Sequence, residues 1–114
     1  MASARTMLER RRSSRVPIRI PVKLFTSETN GNRRDAAAEA ISVSRYGALL
    51  RAPILPELGS RIEILHGVSQ EVRPFRVISA RDPQEHGLFE LGVEIFYPSQ
   101  NFWGVSFPDE LHAS

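Results

Sequence analysis

Apolar and polar residues alternate with a period of two in several short stretches of the chain. Ile18, Ile20, Val22 and Leu24 are separated by Arg19, Pro21 and Lys23, which places the four apolar side chains on one face of a half-buried strand. Pro17 and Pro21 cannot donate to a hydrogen-bonded ladder, so this strand is expected at a sheet edge or with a break in it. Asn30-Gly31 is the strongest turn signal, because both residues tolerate positive φ. It predicts a second strand from about Arg34 to Val43, antiparallel to the first. The Ala36–Ala40 segment favours helix by propensity, but the turn that pairs it with the first strand argues for strand. Ser44-Arg45-Tyr46-Gly47 reads as a tight turn in which Gly47 supplies a backbone angle other residues resist.

Ala48–Ala52 is then a short strand stopped by Pro53 and Pro56. Glu57-Leu58-Gly59 leads into a strand in which Ile62 and Ile64 face away from Arg61 and Glu63. His66-Gly67-Val68-Ser69 closes a hairpin, and the next strand, about Glu71 to Ala80, carries Phe75, Val77 and Ser79 on one face. After the polar loop Arg81–Gly87, the residues Phe89, Leu91, Val93, Ile95 and Tyr97 alternate as a last strand ended by Pro98. Phe102, Trp103, Val105 and Phe107 are apolar enough to pack as a cap, with a helical turn. Six short strands with no long amphipathic helix between them predict an all-β antiparallel barrel or sandwich. The expected organisation is a flexible basic arm over 1–16, a six-stranded barrel over 17–98 and a capping segment and tail over 99–114.

A length of 114 residues fits one domain. There is no cysteine, which excludes disulfides and thiolate-bound metal and fits a reducing compartment. No apolar run approaches the roughly 18 residues that span a bilayer, and no apolar segment follows the basic N-terminus as a secretory signal requires. A cytoplasmic location without membrane insertion is therefore expected, as a monomer or homodimer. The net charge of +2 hides an asymmetry: residues 1–16 hold Arg5, Arg10, Arg11, Arg12 and Arg15 against Glu9 alone. The remainder is slightly acidic. Positive charge confined to one segment suits a single anionic partner at one place, and not a nucleic-acid polymer.

The chain has no Gly-rich phosphate loop, dinucleotide fingerprint or nucleophile elbow. His66, His86 and His112 are far apart, and Glu90 and Glu94 read as solvated residues sharing one strand face. No catalytic residue, metal or cofactor is expected, and the chain reads as a binding module, not an enzyme. Two features carry chemistry. Arg11 and Arg15 form Arg-x-x-x-Arg directly before the first strand, with Arg12 between them. Guanidinium groups are planar and permanently charged, and they grip phosphates or guanine edges bidentately and stack on purines. The second feature is Ser42-Val43-Ser44-Arg45-Tyr46-Gly47. Ser42 and Ser44 leave the same strand face while Val43 points to the core, giving a small polar surface able to meet a base edge.

From about Arg10 to Tyr97 the sequence resembles the PilZ domain family of bacterial cyclic di-GMP receptors. Arg11 and Arg15 match that family's Arg-x-x-x-Arg. Ser44 and Gly47 match its Asp/Asn-x-Ser-x-x-Gly, with Ser42 at the Asp/Asn position, and Gly92-Val93-Glu94-Ile95 is similar to its last barrel strand. The resemblance implies a PilZ-type barrel that binds cyclic di-GMP on its outer surface near Ser42, Ser44 and Gly47. Arg11 and Arg15 would grip the ligand, Arg12 would stack on it, and the arm would order as it binds, altering contacts with a downstream protein. The second reading is a PilZ-like adaptor that binds no nucleotide and acts through protein contact at the Phe102, Trp103 and Phe107 cap. Single-strand nucleic-acid binding is disfavoured because exposed aromatics along a basic groove are lacking.

Overall fold

The computed structural model describes residues 15–27, 31, 33–82, 87–97, 101–105 and 107. Six strands follow one another: β1 (Val16–Ser27), β2 (Arg33–Val43), β3 (Gly47–Ala52), β4 (Arg61–His66), β5 (Val72–Arg81) and β6 (Phe89–Ile95). They close into an antiparallel barrel in the order β1-β2-β3-β6-β5-β4, with β4 returning to β1. The described residues contain no helix.

The hairpin between β1 and β2 forms as the turn signal predicts, and Gly31 holds φ +87°. The alanine run of β2 is strand because its small side chains face the large ones of β1. Ala36 lies opposite Leu24, Ala38 opposite Val22 and Ala40 opposite Ile20. Residues directly opposite share a sheet face, so alanine leaves room for the bulky partner, and this complementarity outweighs helix propensity. Leu24, Leu50, Ile62, Ile64, Phe75 and Leu91 fill the barrel interior and are fully buried.

β1 is not an edge strand, since it pairs with both β2 and β4. Its break is real, however: the register with β2 shifts between Pro17 and Ile20. Pro21 is tolerated because its carbonyl accepts from Gly67 N (2.8 Å). The N and O of one strand residue face the same neighbour, so the missing N–H points toward β4 where that ladder has already ended at Val22–His66. Pro74 repeats the device: its carbonyl accepts from Phe96 N, just past the last β5–β6 pair, Phe75–Ile95.

Three expectations are corrected. The β5–β6 register shifts between Val77 and Ser79. This bulge inserts Ile78 as an extra residue and turns Ser79 out to the surface, not into the core. β6 ends at Ile95, past which the Phe96 N–Pro74 O bond is followed by no further β5–β6 pair, and Tyr97 lies exposed outside the strand. Residues 101–103 form turns and bends with no helical turn.

Phe102 and Trp103 do cap the barrel, at 3% and 4% exposure. Their rings meet edge-on at 4.8 Å, and both pack on Phe75. His66 is part of this cap and is not a surface histidine. Its ring packs against Phe102 and Trp103, and its Nδ1 accepts from Val68 N (3.1 Å) and Ser69 N (3.2 Å). The proton of the neutral ring is therefore on Nε2.

Candidate functional site

The C-terminal end of β2 and the start of β3 build one wall of a groove on the outside of the barrel. Val43 is buried in the core at 1% exposure, which turns Ser42 and Ser44 outward, as their spacing predicts. Ser42 sits at a strand junction, opposite Pro17 on β1 and Leu49 on β3. The residues Ser44 to Gly47 make a pinned turn. Ser44 N donates to Gly47 O (2.9 Å), Ser44 Oγ accepts from Tyr46 N (3.3 Å) and Gly47 N (3.2 Å), and Ile95 N donates to Tyr46 O (2.8 Å). With both backbone donors on its oxygen, Ser44 presents its hydroxyl hydrogen outward as a donor.

Gly47 has a reason different from the one its sequence context suggests. It does not adopt positive φ. A Cβ at this position would lie 2.1 Å from Val93 O on β6. Glycine is needed here so that the backbones of β3 and β6 can come together.

Arg15 enters the same groove. Val16 pairs with Val43, so continuing that register brings Arg15 off the barrel beside Ser44. Arg15, Ser42, Ser44 and Gly47 together line a groove of about 510 Å³, within the range of small-molecule sites. Arg11 and Arg12 lie outside the described residues.

The opposite wall comes from β5 and β6 and was not assigned to the site from the sequence. Gly92 forms low floor beneath the bulge, with Ser79 Oγ standing over it: a Cβ on Gly92 would lie 2.3 Å from that oxygen. Ile78, the extra residue of the bulge, adds apolar surface at 54% exposure. Arg81 adds a second cation, and Glu90 and Glu94 face the groove from alternate positions of β6. The even spacing of the two glutamates is the signal that places them on one face; their proximity to Ser44 depends on the β3–β6 pairing, which the sequence does not announce.

The two carboxylates differ in what surrounds them. Glu90 pairs at 3.9 Å with Arg51, its cross-strand neighbour on β3. Glu94 stands opposite Gly47 on β3 and Arg76 on β5. Arg76 lies instead over the Phe96 ring, 4.9 Å from its centre, and Glu94 makes no ion pair among the described residues. The groove thus offers guanidinium groups, hydroxyl donors, one uncommitted carboxylate and an apolar flank. Such a surface can hold a flat polar ligand bearing negative charge. Among the described residues no three metal-ligating side chains gather at one place, and no helix is long and apolar enough to cross a membrane. No family model matches this chain, and no curated protein matches it.

Proposed function

We propose that the chain is a binding module for cyclic di-GMP, of the kind its PilZ-like motifs suggest. The observation that supports this reading is that Arg15, distant in sequence from Ser42, Ser44 and Gly47, lines the same groove with them. In this reading Arg15 anchors a phosphate with paired charge-assisted hydrogen bonds. Ser44 donates to a purine acceptor, Ile78 supports the ring, and Arg11 and Arg12 close over the ligand from the arm leading into Arg15. Ordering the arm changes the surface offered to a protein partner, and no bond is made or broken. Isothermal calorimetry with cyclic di-GMP is the test. Saturable binding that disappears in Arg15→Ala is expected, and absence of heat at high micromolar ligand refutes the proposal.

The second reading, an adaptor without nucleotide, draws on Ser42 at the position where the family carries Asp or Asn. Its original contact surface does not serve, because Phe102 and Trp103 are buried in the cap. It would need exposed residues such as Leu58 or Tyr97. Binding of a protein partner that is indifferent to cyclic di-GMP and to Arg15→Ala would favour it.

A further inference from the structure

The Watson–Crick edge of guanine carries two neighbouring donors, N1–H and N2–H, beside the O6 acceptor. A site that selects guanine must supply acceptors for both donors, because a buried donor left unpaired weakens binding. The β2–β3 wall is short of acceptors. Ser44 Oγ already accepts from Tyr46 N and Gly47 N, and Ser42 has one short hydroxyl. Across the groove, Glu90 is engaged with Arg51.

Glu94 remains. It pairs in register with Gly47, so β3 contributes no side chain between this carboxylate and the Ser44 turn. It is exposed, lines the groove and has no ion-pair partner among the described residues. Its two oxygens can accept two parallel hydrogen bonds, the geometry that N1–H and N2–H present.

Resting on the cyclic di-GMP reading above, we infer that Glu94 is the base-reading residue of the groove. It supplies from β6 the acceptor that Ser42 is too short to provide from β2. The same carboxylate faces an unprotonated N1 acceptor in adenine, so it rejects cyclic di-AMP by repulsion as well as by a missing hydrogen bond.

The experiment titrates wild type, Glu94→Ala, Glu94→Gln, Glu57→Gln and the double variant Glu94→Ala/Ser42→Asp with cyclic di-GMP, cyclic di-IMP and cyclic di-AMP. Thermal unfolding is recorded for each variant to establish that the barrel is intact, as expected for changes at outward-facing positions. Glu94→Ala is expected to weaken cyclic di-GMP binding by about 10- to 100-fold. It should also remove the preference over cyclic di-IMP, which lacks the N2 amine. Glu94→Gln, with one oxygen left, falls between. Glu57→Gln, an exposed carboxylate outside the groove, stays within about twofold of wild type. Adding Ser42→Asp to Glu94→Ala restores affinity, a rescue that a structural role for Glu94 would not produce. If wild type binds and Glu94→Ala binds within twofold with its guanine preference intact, the inference is overturned and the reading of the groove survives. If wild type does not bind at all, both fall.

Discussion

Replacing Gly47 with alanine puts a methyl carbon 2.1 Å from Val93 O, about 1.3 Å or more inside ordinary van der Waals contact. The atom it meets is backbone, fixed in β6 between the Ala48–Val93 and Gly47–Glu94 pairs, and it cannot rotate away. Relief requires β3 and β6 to separate. Overpacking of this kind costs about 1–3 kcal/mol, and stretching the adjoining ladder bonds adds about 1 kcal/mol, for a total of about 2–4 kcal/mol. In a domain of this size that lowers the melting temperature by about 10–20 °C. The contrast with two other glycines isolates the cause. A Cβ on Gly92 meets Ser79 Oγ, the movable end of a side chain, so Gly92→Ala should cost about 1 kcal/mol or less. Gly59 has φ +84° with nothing within 4 Å of a Cβ, so its cost is conformational, about 1 kcal/mol for alanine and less for asparagine, which tolerates that region. At Gly47 the order reverses, because asparagine carries the same Cβ and more bulk. Differential scanning calorimetry of the Ala and Asn variants at Gly47 and Gly59 decides the matter. A Gly47→Ala protein melting within a few degrees of wild type, or Gly47→Asn milder than Gly47→Ala, refutes steric approach as the reason for this glycine.

Three further outcomes are expected. Trp103→Ala empties a site that is 4% exposed and should destabilise the barrel by about 3–5 kcal/mol, measured by urea unfolding followed by circular dichroism, since the substitution removes the only tryptophan. His66→Ala leaves Val68 N and Ser69 N without their acceptor and strips a ring from the cap, costing about 2–4 kcal/mol. His66→Asn, whose Oδ1 can reach the same two N–H groups, should recover part of that loss in the same assay. Arg19→Ala breaks a 3.4 Å ion pair with Glu39 between largely exposed side chains, and its unfolding midpoint should change by no more than about 0.5 kcal/mol equivalent.

The strands whose inward residues alternate strictly were legible in the sequence. Ile20, Val22 and Leu24 on β1, and Ile62 and Ile64 on β4, bury the faces that their period implies. Bulges broke the reading. A single inserted residue reverses the phase of everything beyond it, so Ser79 was expected inside and lies outside, while Ile78 faces solvent at the groove. The barrel was expected, but which strand closes it on β1 was not: the prolines of β1 suggest an edge or a break, whereas pairing with β4 closes the ring and places Pro21 just past the end of that ladder. Of the groove, one wall was readable because Ser42, Ser44 and Gly47 are neighbours in the chain. The other wall is brought there by the pairing of β6 with β3 and β5, a long-range relation that no local spacing encodes. For Gly47 a positive backbone angle was expected and a close approach between strands was found, because such an approach has no signature in the residues flanking it.

The circular order of strands bears on how copies of this protein can associate. A sheet with an open side exposes a row of unsatisfied amides onto which a neighbouring molecule can dock its own backbone, the usual route to fibrillar aggregates. Here β4 returns to β1 and removes that row over Val22–Phe25. Among the described residues the first half of β2 is an exception: β3 pairs with it only from Glu39 on, so Arg33 to Ala38 pair in the sheet with β1 alone. A neighbour adding a strand there would dock beside the charges of Arg33, Arg34 and Asp35, which disfavour such docking. A dimer formed on the closed part of the barrel is instead stitched by side chains, and should dissolve on a surface substitution without unfolding either copy.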